Sequence, residues 1–305
     1  MTRELVAVTS RSFSRSKSLR QCLQARYAQV RFNDEGLKLK DESLVRFLSG
    51  AKRAIIGLET IDEDLLDQLP DLQVICKMGT GTDKVNLDAI KKRNIIFSHT
   101  PGVNKRSVSE LVFGLIFMLL RRLPVVQTLV KQGCWEQPTG QLLSTKTVGV
   151  IGYGAIGQDL VALLCAFGCN CLIFDVQYHD VLIPQVLQVD LDTLLAQADI
   201  ISLHIPLLSE NYHFFDENKL FKMKKGAILI NTARGGLVDE IALHKALVSG
   251  QLFAAAMDVF EYEPEVPKNL LKLNNFIATS HIGGSTEEAI EAMGRLAIYQ
   301  LEKIE

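Results

Sequence analysis

The stretch Thr147-Val-Gly-Val-Ile-Gly-Tyr-Gly-Ala-Ile-Gly157 constrains this chain more than any other. Val148, Val150 and Ile151 form a short apolar run that reads as a buried strand. The run breaks into Gly152, Gly154 and Gly157, spaced G-x-G-x-x-G, and helix-forming sequence follows from Gln158 to Leu164. In such a strand–turn–helix the first glycine allows the tight turn. The second lets a pyrophosphate approach the backbone, and the third lets the helix pack close to the strand. The helix N-terminus adds unpaired N–H groups and the positive end of its dipole. A second apolar run, Cys171-Leu-Ile-Phe174, ends in Asp175, 18 positions past Gly157. A carboxylate about 20 residues on is the group that receives the ribose hydroxyls of a dinucleotide. Strand, spacing, helix and acid coincide, so this segment is predicted to bind a dinucleotide. Asp175 is followed by Val176 and Gln177 and not by an arginine, which predicts NAD over NADP.

The rest of the chain alternates in the same manner. At 305 residues it suits two domains. Strands are predicted near 5–8, 30–32, 54–56, 72–76 and 95–97, with helices over 17–27, 42–48, 62–69 and 87–93. Alternation of this kind implies a parallel sheet covered by helices on both faces. Ser107-Val-Ser-Glu110 reads as a capping box ahead of an apolar helix reaching about Leu123, and Pro124 opens the next helix. That helix carries few charges between Glu110 and Arg121, so burial between domains or subunits is expected. Trp135, the only tryptophan, is expected to be an aromatic anchor. After the glycine-rich unit, strands are predicted at 200–203, 227–230, 253–256 and 275–278, and a closing helix at 286–304.

Composition excludes several classes. Lys plus Arg is 33 against 35 for Asp plus Glu, a net charge of −2, so no nucleic-acid partner is expected. The longest apolar run, 111–120, is too short to span a bilayer, and the N-terminus lacks the order of a signal peptide. A cytoplasmic protein without a membrane partner is expected. Cys22, Cys76, Cys134, Cys165, Cys169 and Cys171 show no zinc spacing and read as small hydrophobes in a reducing compartment. No metal is expected.

Ligands of open parallel sheets bind beyond the carboxyl ends of the strands. Predicted strands here end in loops carrying Arg234, a run of three glutamates (Glu261, Glu263 and Glu265) and His281. The fixed fork of Arg234 matches a carboxylate or a 2-oxo acid, and Gly235-Gly236 after it suggests a close backbone approach. His281, before Gly283-Gly284, suits proton transfer near neutral pH, or a structural role. Nothing local chooses among the glutamates. His99, His179, His204, His213 and His244 show no metal-ligand spacing.

With these residues in place the chain resembles the NAD-dependent D-2-hydroxyacid dehydrogenases, in particular the phosphoglycerate-dehydrogenase-like group. The resemblance is carried by Gly152-Tyr-Gly-Ala-Ile-Gly157 with Asp175, Ser202-Leu-His-Ile-Pro206, Asn231-Thr-Ala-Arg-Gly-Gly-Leu-Val-Asp239, Asp258-Val-Phe-Glu-Tyr-Glu-Pro264 and His281-Ile-Gly-Gly284. It implies a Rossmann-type doubly wound α/β sheet over 99–285. It also implies a smaller flavodoxin-like α/β substrate domain over 1–98, completed by the C-terminal helix 286–305. Gly152, Gly154, Ala155, Ile156, Gly157, Asp175, Ile205, Thr232, Ala233, Asp258 and Gly283 would contact NAD. Arg234 would hold the substrate carboxylate and carbonyl. Glu263 would be the family glutamate, pairing with His281 and favouring its protonated form. His281 would give the proton in reduction and take it in oxidation. Thr80 and Gly81 match the loop whose N–H groups bind the substrate carboxylate, with Lys77 beside them. Lys77 stands where phosphoglycerate-type members have an arginine, and Glu59 near where they have another. With the sequence ending at Glu305, no C-terminal amino-acid-sensing domain is expected.

The expected activity is hydride transfer between NAD(H) and C2 of a small 2-hydroxy or 2-oxo acid, in a homodimer. The alternative is an NAD(H)-sensing, co-repressor-like binding protein on the same fold, because the fold alone does not decide function.

Overall fold

The computed structural model describes residues 2–303. It divides into two compact units, Met1–Asn104 with Gly284–Glu305, and Lys105–Gly283. The expected boundaries, after 98 and after 285, differ from these by a few residues. In chain order the first unit contains β1 (Thr2–Val8), α1 (Arg11–Arg15), α2 (Lys17–Gln24), β2 (Tyr27–Phe32), α3 (Asp41–Leu48), β3 (Arg53–Ile56), α4 (Glu63–Asp67), β4 (Val74–Lys77), α5 (Leu87–Lys92) and β5 (Ile96–Ser98). The second contains α6 (Lys105–Leu120), α7 (Leu123–Lys131), β6 (Thr147–Ile151), α8 (Ala155–Ala166), β7 (Asn170–Phe174), β8 (Val186–Gln188), α9 (Leu191–Gln197), β9 (Ile200–Leu203), α10 (Glu217–Lys222), β10 (Ala227–Asn231), α11 (Glu240–Val248), β11 (Leu252–Met257), α12 (Lys268–Leu271) and β12 (Phe276–Ala278). Helix α13 (Glu287–Lys303) returns to the first unit.

The first unit is a parallel sheet ordered β2-β1-β3-β4-β5, the flavodoxin-like order. Strand residues alternate between its faces. Ala7, Ala54, Ile56 and Ile75 pack with Leu44, Leu48 and Leu66 of α3 and α4, whereas Val6, Val8, Ile55 and Cys76 pack with Leu19, Leu23 and Ile298. On that second face α13 presses on α2. A Cβ at Gly294 would lie 2.3 Å from Leu19 Cδ1, so only glycine fits there.

The second unit is a seven-stranded parallel sheet ordered β12-β11-β10-β9-β6-β7-β8. This is the Rossmann order, with the direction of winding reversing at β6, between β7 and β9. Val148 and Val150 of β6 face the core that α6 and α8 cover, and Ile151 faces the core of α9, α10 and α11. Gly149 is forced on this second side, since a Cβ would lie 2.6 Å from Leu194 Cδ2.

Two local expectations are corrected, those for Ser107 and Trp135. Helix α6 starts at Lys105, so Ser107 is not a cap: it is buried, and its hydroxyl donates to the Gly283 carbonyl at 2.6 Å. Half of α6 is buried and half is not. Phe113 and Phe117 lie partly buried against Phe167, with centroids 5.6 Å away. Trp135 anchors no core: it is 81% exposed, beside Arg121, Leu123 and Val126. Among the described residues no single helix is long and apolar enough to cross a membrane.

Candidate active site

The glycine-rich turn leaves β6 with Gly152 at φ +96°, where a side chain would also meet the His204 carbonyl oxygen at 2.6 Å. Gly157 closes the turn, since a Cβ there would stand 2.1 Å from the Gly152 oxygen. Gly154 is different: nothing lies within 4 Å of its would-be Cβ. Ala155, Ile156 and Gly157 form the first turn of α8, with Gly154 and Ala155 exposed, so its unpaired N–H groups are open to an anion. Asp175, at the end of β7, accepts from the Tyr153 N–H at 2.7 Å and the Gln177 N–H at 2.9 Å. Burial raises its pKa, but the Gln177 and Tyr153 N–H groups and His179 outweigh burial and hold the carboxyl below its ordinary range. Ile205 follows β9, and its Cγ2 would touch a Cβ on Gly152. At the end of β10 the Thr232 hydroxyl is buried without a hydrogen-bond partner, while the Ala233 N–H donates to Asn231 Oδ1 at 3.0 Å. An open glycine, an accessible helix start, an ionised carboxylate and an unpartnered buried hydroxyl fit a dinucleotide.

Beyond β11 the carboxylate of Asp258, 1% exposed, organises the next loop. Its Oδ1 accepts from the Thr279 hydroxyl at 2.6 Å and the Ile282 N–H at 2.8 Å, and its Oδ2 from the Gly283 N–H at 2.8 Å. The His281 N–H donates to the Asp258 carbonyl at 2.8 Å. These bonds hold His281 at φ +57°, a conformation costing an L-residue about 1–2 kcal/mol. Asp258, expected among the cofactor contacts, thus has both carboxylate oxygens engaged by the histidine loop.

His281 Nδ1 lies 2.9 Å and 3.1 Å from the two Glu263 oxygens. The carboxylate fixes the Nδ1–H tautomer and leaves Nε2 to exchange a proton. Glu263, the glutamate that the family resemblance implies, is thus the one at the histidine. Glu261 instead accepts from the Tyr212 hydroxyl and lies 3.2 Å from His213 Nε2. Arg234 follows β10 in a loop held by Asn231, whose Nδ2 donates to the Arg234 carbonyl at 2.8 Å. Gly235 does mark a close approach, but to the chain's own backbone: a Cβ would stand 1.9 Å from the Phe260 carbonyl carbon. The glycine lets the Arg234 loop dock on the loop carrying Glu263.

Lys77, Thr80 and Gly81 belong to the other unit, at and beyond the end of β4. Lys77 is buried and its Nζ donates to the Gly57 carbonyl, while the Gly57 N–H donates to Glu59 Oε2 at 2.6 Å. Gly57 therefore engages both side chains, the lysine through its carbonyl and the glutamate through its N–H. Arg106 pairs with the buried Asp159 of α8 at 2.9 Å.

Two histidines passed over in the sequence stand beside the glycine-rich turn and Asp175. His204 shares a 2.8 Å hydrogen bond with Ser202, and burial pushes its pKa down to about 4. His179 lies 3.6 Å from Asp175. Metal spacing was the wrong filter for them; position just past β7 and β9 was the signal available.

The sheet order, the glycine turn and the histidine–carboxylate pair together define a nicotinamide-dinucleotide oxidoreductase unit. The family model for the NAD binding domain of D-isomer specific 2-hydroxyacid dehydrogenases matches residues 113–283. The hydroxypyruvate reductase of Thermotoga maritima is 37% identical over 287 residues, covering 90% of this chain and 92% of that protein. The D-3-phosphoglycerate dehydrogenase of Methanocaldococcus jannaschii is 37% identical over 273 residues, 88% of this chain but 50% of its own length. The structure of the D-lactate dehydrogenase of Aquifex aeolicus, complexed with NAD and lactic acid, superposes with a TM-score of 0.83 at 27% identity, covering 98% of this chain and 94% of that one. The chain belongs to the D-isomer specific 2-hydroxyacid dehydrogenase family and is an NAD-dependent oxidoreductase. Nothing in these likenesses supports the alternative of a dinucleotide-sensing binding protein.

Proposed function

We propose that this enzyme reduces a small unphosphorylated 2-oxo acid, of the hydroxypyruvate or glyoxylate type, to the D-2-hydroxy acid. The bound nicotinamide supplies the hydride. Arg234 binds the carboxylate and carbonyl of the substrate with its planar fork. His281 gives a proton from Nε2 to the carbonyl oxygen as it becomes an alkoxide, and Glu263 holds the ring through Nδ1. Thr80 and Gly81 offer backbone N–H groups to the carboxylate, a role supported by resemblance of the Lys77-Met-Gly-Thr-Gly-Thr-Asp83 loop.

The observation carrying the substrate preference is the Gly57 peptide. A phosphate needs cationic partners and is best held by arginine. Here the ammonium of Lys77 is buried on the Gly57 carbonyl, with the Glu59 carboxylate on the N–H of the same residue. A carboxylate beside a dianion is repelled by about 1 kcal/mol or more per close unit-charge pair even at water-like dielectric. Arg106 is committed to Asp159. Near full-length likeness to a hydroxypyruvate reductase supports the same reading. Steady-state kinetics with purified enzyme and NADH should give a higher kcat/KM for hydroxypyruvate than for phosphohydroxypyruvate; a tenfold preference for the phosphorylated acid would sink the proposal.

The enzyme is further proposed to be a cytoplasmic homodimer. Six free cysteines suit a reducing compartment. None of the residues of α7 is buried, and Leu123, Val130, Trp135 and Leu142 stand exposed on or near it.

A further inference from the structure

His179 has no part in the chemistry above, yet it is the titratable side chain that meets the ribose-binding carboxylate. It lies in the connection between β7 and β8, four positions past Asp175, with Nε2 3.6 Å from Asp175 Oδ1. That Nε2 is buried and makes no hydrogen bond. Two contacts keep the ring there. Its edge packs on Tyr153 of the glycine-rich turn, with centroids 5.1 Å apart and planes at 70°. The backbone N–H of His179 donates to Gln188 Oε1 at 2.9 Å, and Gln188 Nε2 donates to the Gln177 carbonyl at 2.8 Å, so β8 pins the connection from the far side.

The groups facing the ring are few. From β7 comes Asp175, ionised below the ordinary carboxylate range. From the turn comes the Tyr153 phenol, which burial pushes up, so it is neutral wherever a histidine titrates. From β8 comes Gln188, which meets the backbone N–H of His179 and carries no charge. A change of charge on His179 is therefore felt chiefly by one ionised partner. A carboxylate at the ribose repels the 2′-phosphate of NADP and accepts the free hydroxyls of NAD. A cation within 4 Å of that carboxylate cancels much of its field.

We propose that His179 is a specificity-determining residue of the cofactor site: neutral, it leaves the Asp175 charge to exclude a 2′-phosphate, and protonated, it offsets that charge and relaxes the exclusion. This rests on the assignment of Asp175 to the adenosine ribose.

Calorimetric titration of NAD and NADP into the enzyme without substrate, at about pH 8 and about pH 5.5, tests it. The ratio of NADP to NAD dissociation constants falls on acidification in any variant, because the 2′-phosphate itself takes up a proton. In the wild type it should fall roughly fivefold further than in His179→Gln, the factor expected for one unit charge at contact distance in a water-like medium. His179→Asn should match His179→Gln. An equal fall in wild type and both His179 variants overturns the proposal while leaving the NAD assignment intact. Equal affinity for NAD and NADP at pH 8 in the wild type overturns the role of Asp175 and the proposal with it.

Discussion

At the scale of single residues the site is a set of charges whose partners differ from what their types suggest. His281 Nδ1 meets the Glu263 carboxylate at 2.9 Å, as the proposed acid and its orienting partner require. His281→Ala should lower kcat by on the order of a hundredfold to ten-thousandfold and leave NADH affinity nearly unchanged, as stopped-flow binding and turnover will show. In Glu263→Gln the charged partner of His281 Nδ1 is gone, so the ring is held less firmly and kcat should fall while NADH affinity stays near the wild-type value. An unchanged kcat would remove Glu263 from the mechanism. His204 supplies a stability test. Its pKa is depressed by burial, from 6.5 to about 4. The unfolded chain then binds more protons than the native one between those values, so stability rises with pH across that window and is lost as pH falls through it. The loss should reach about 3 kcal/mol near pH 4 and should be absent in His204→Asn. Denaturant melts at pH 7, 5.5 and 4 will compare the two.

Among the elements, the glycines separate into those that serve the fold and those that serve the ligand. Gly235 lets two loops dock, and a methyl group there would stand 1.9 Å from backbone. Gly235→Ala should therefore cost about 1–3 kcal/mol, and activity should fall with the melting temperature as the Arg234 loop is displaced. Gly154 faces open space at a φ of −75° that alanine adopts freely. Gly154→Ala should leave the melting temperature within about 2 °C and weaken NADH binding, because its methyl group stands where a pyrophosphate must come close. If thermal melts and NADH titrations show the two variants to behave alike, the division is wrong. The Asp258 loop makes a similar point: one buried carboxylate takes three donors and holds a histidine in the left-handed region.

For the whole molecule, the two units repeat one logic of parallel strands sandwiched by helices, with different strand orders. The exposed apolar residues of α7 and the Trp135 segment leave a surface that a second copy would cover. Light scattering at micromolar concentration should give twice the chain mass of 33.9 kDa; a stable monomer would refute the dimer.

Much of this was legible in the residues alone. Strand and helix alternation, the glycine turn and Asp175 are short-range patterns, set by periods of two and 3.6 and by backbone freedom at named positions. They were sufficient for the sheet type, the cofactor and the loops proposed to carry the chemistry. Strand β8 and helix α1 escaped notice, being three and five residues long with little periodicity of their own. Ser107 looked like a cap because its spacing to Glu110 is local, yet its hydroxyl goes to Gly283, 176 positions away. Why Gly235 is glycine and what holds His179 against Asp175 were likewise matters for the tertiary structure. Each is a contact between segments far apart in the chain or between neighbours turned by a strand's end. No local pattern encodes such contacts, because they depend on packing the sheet first.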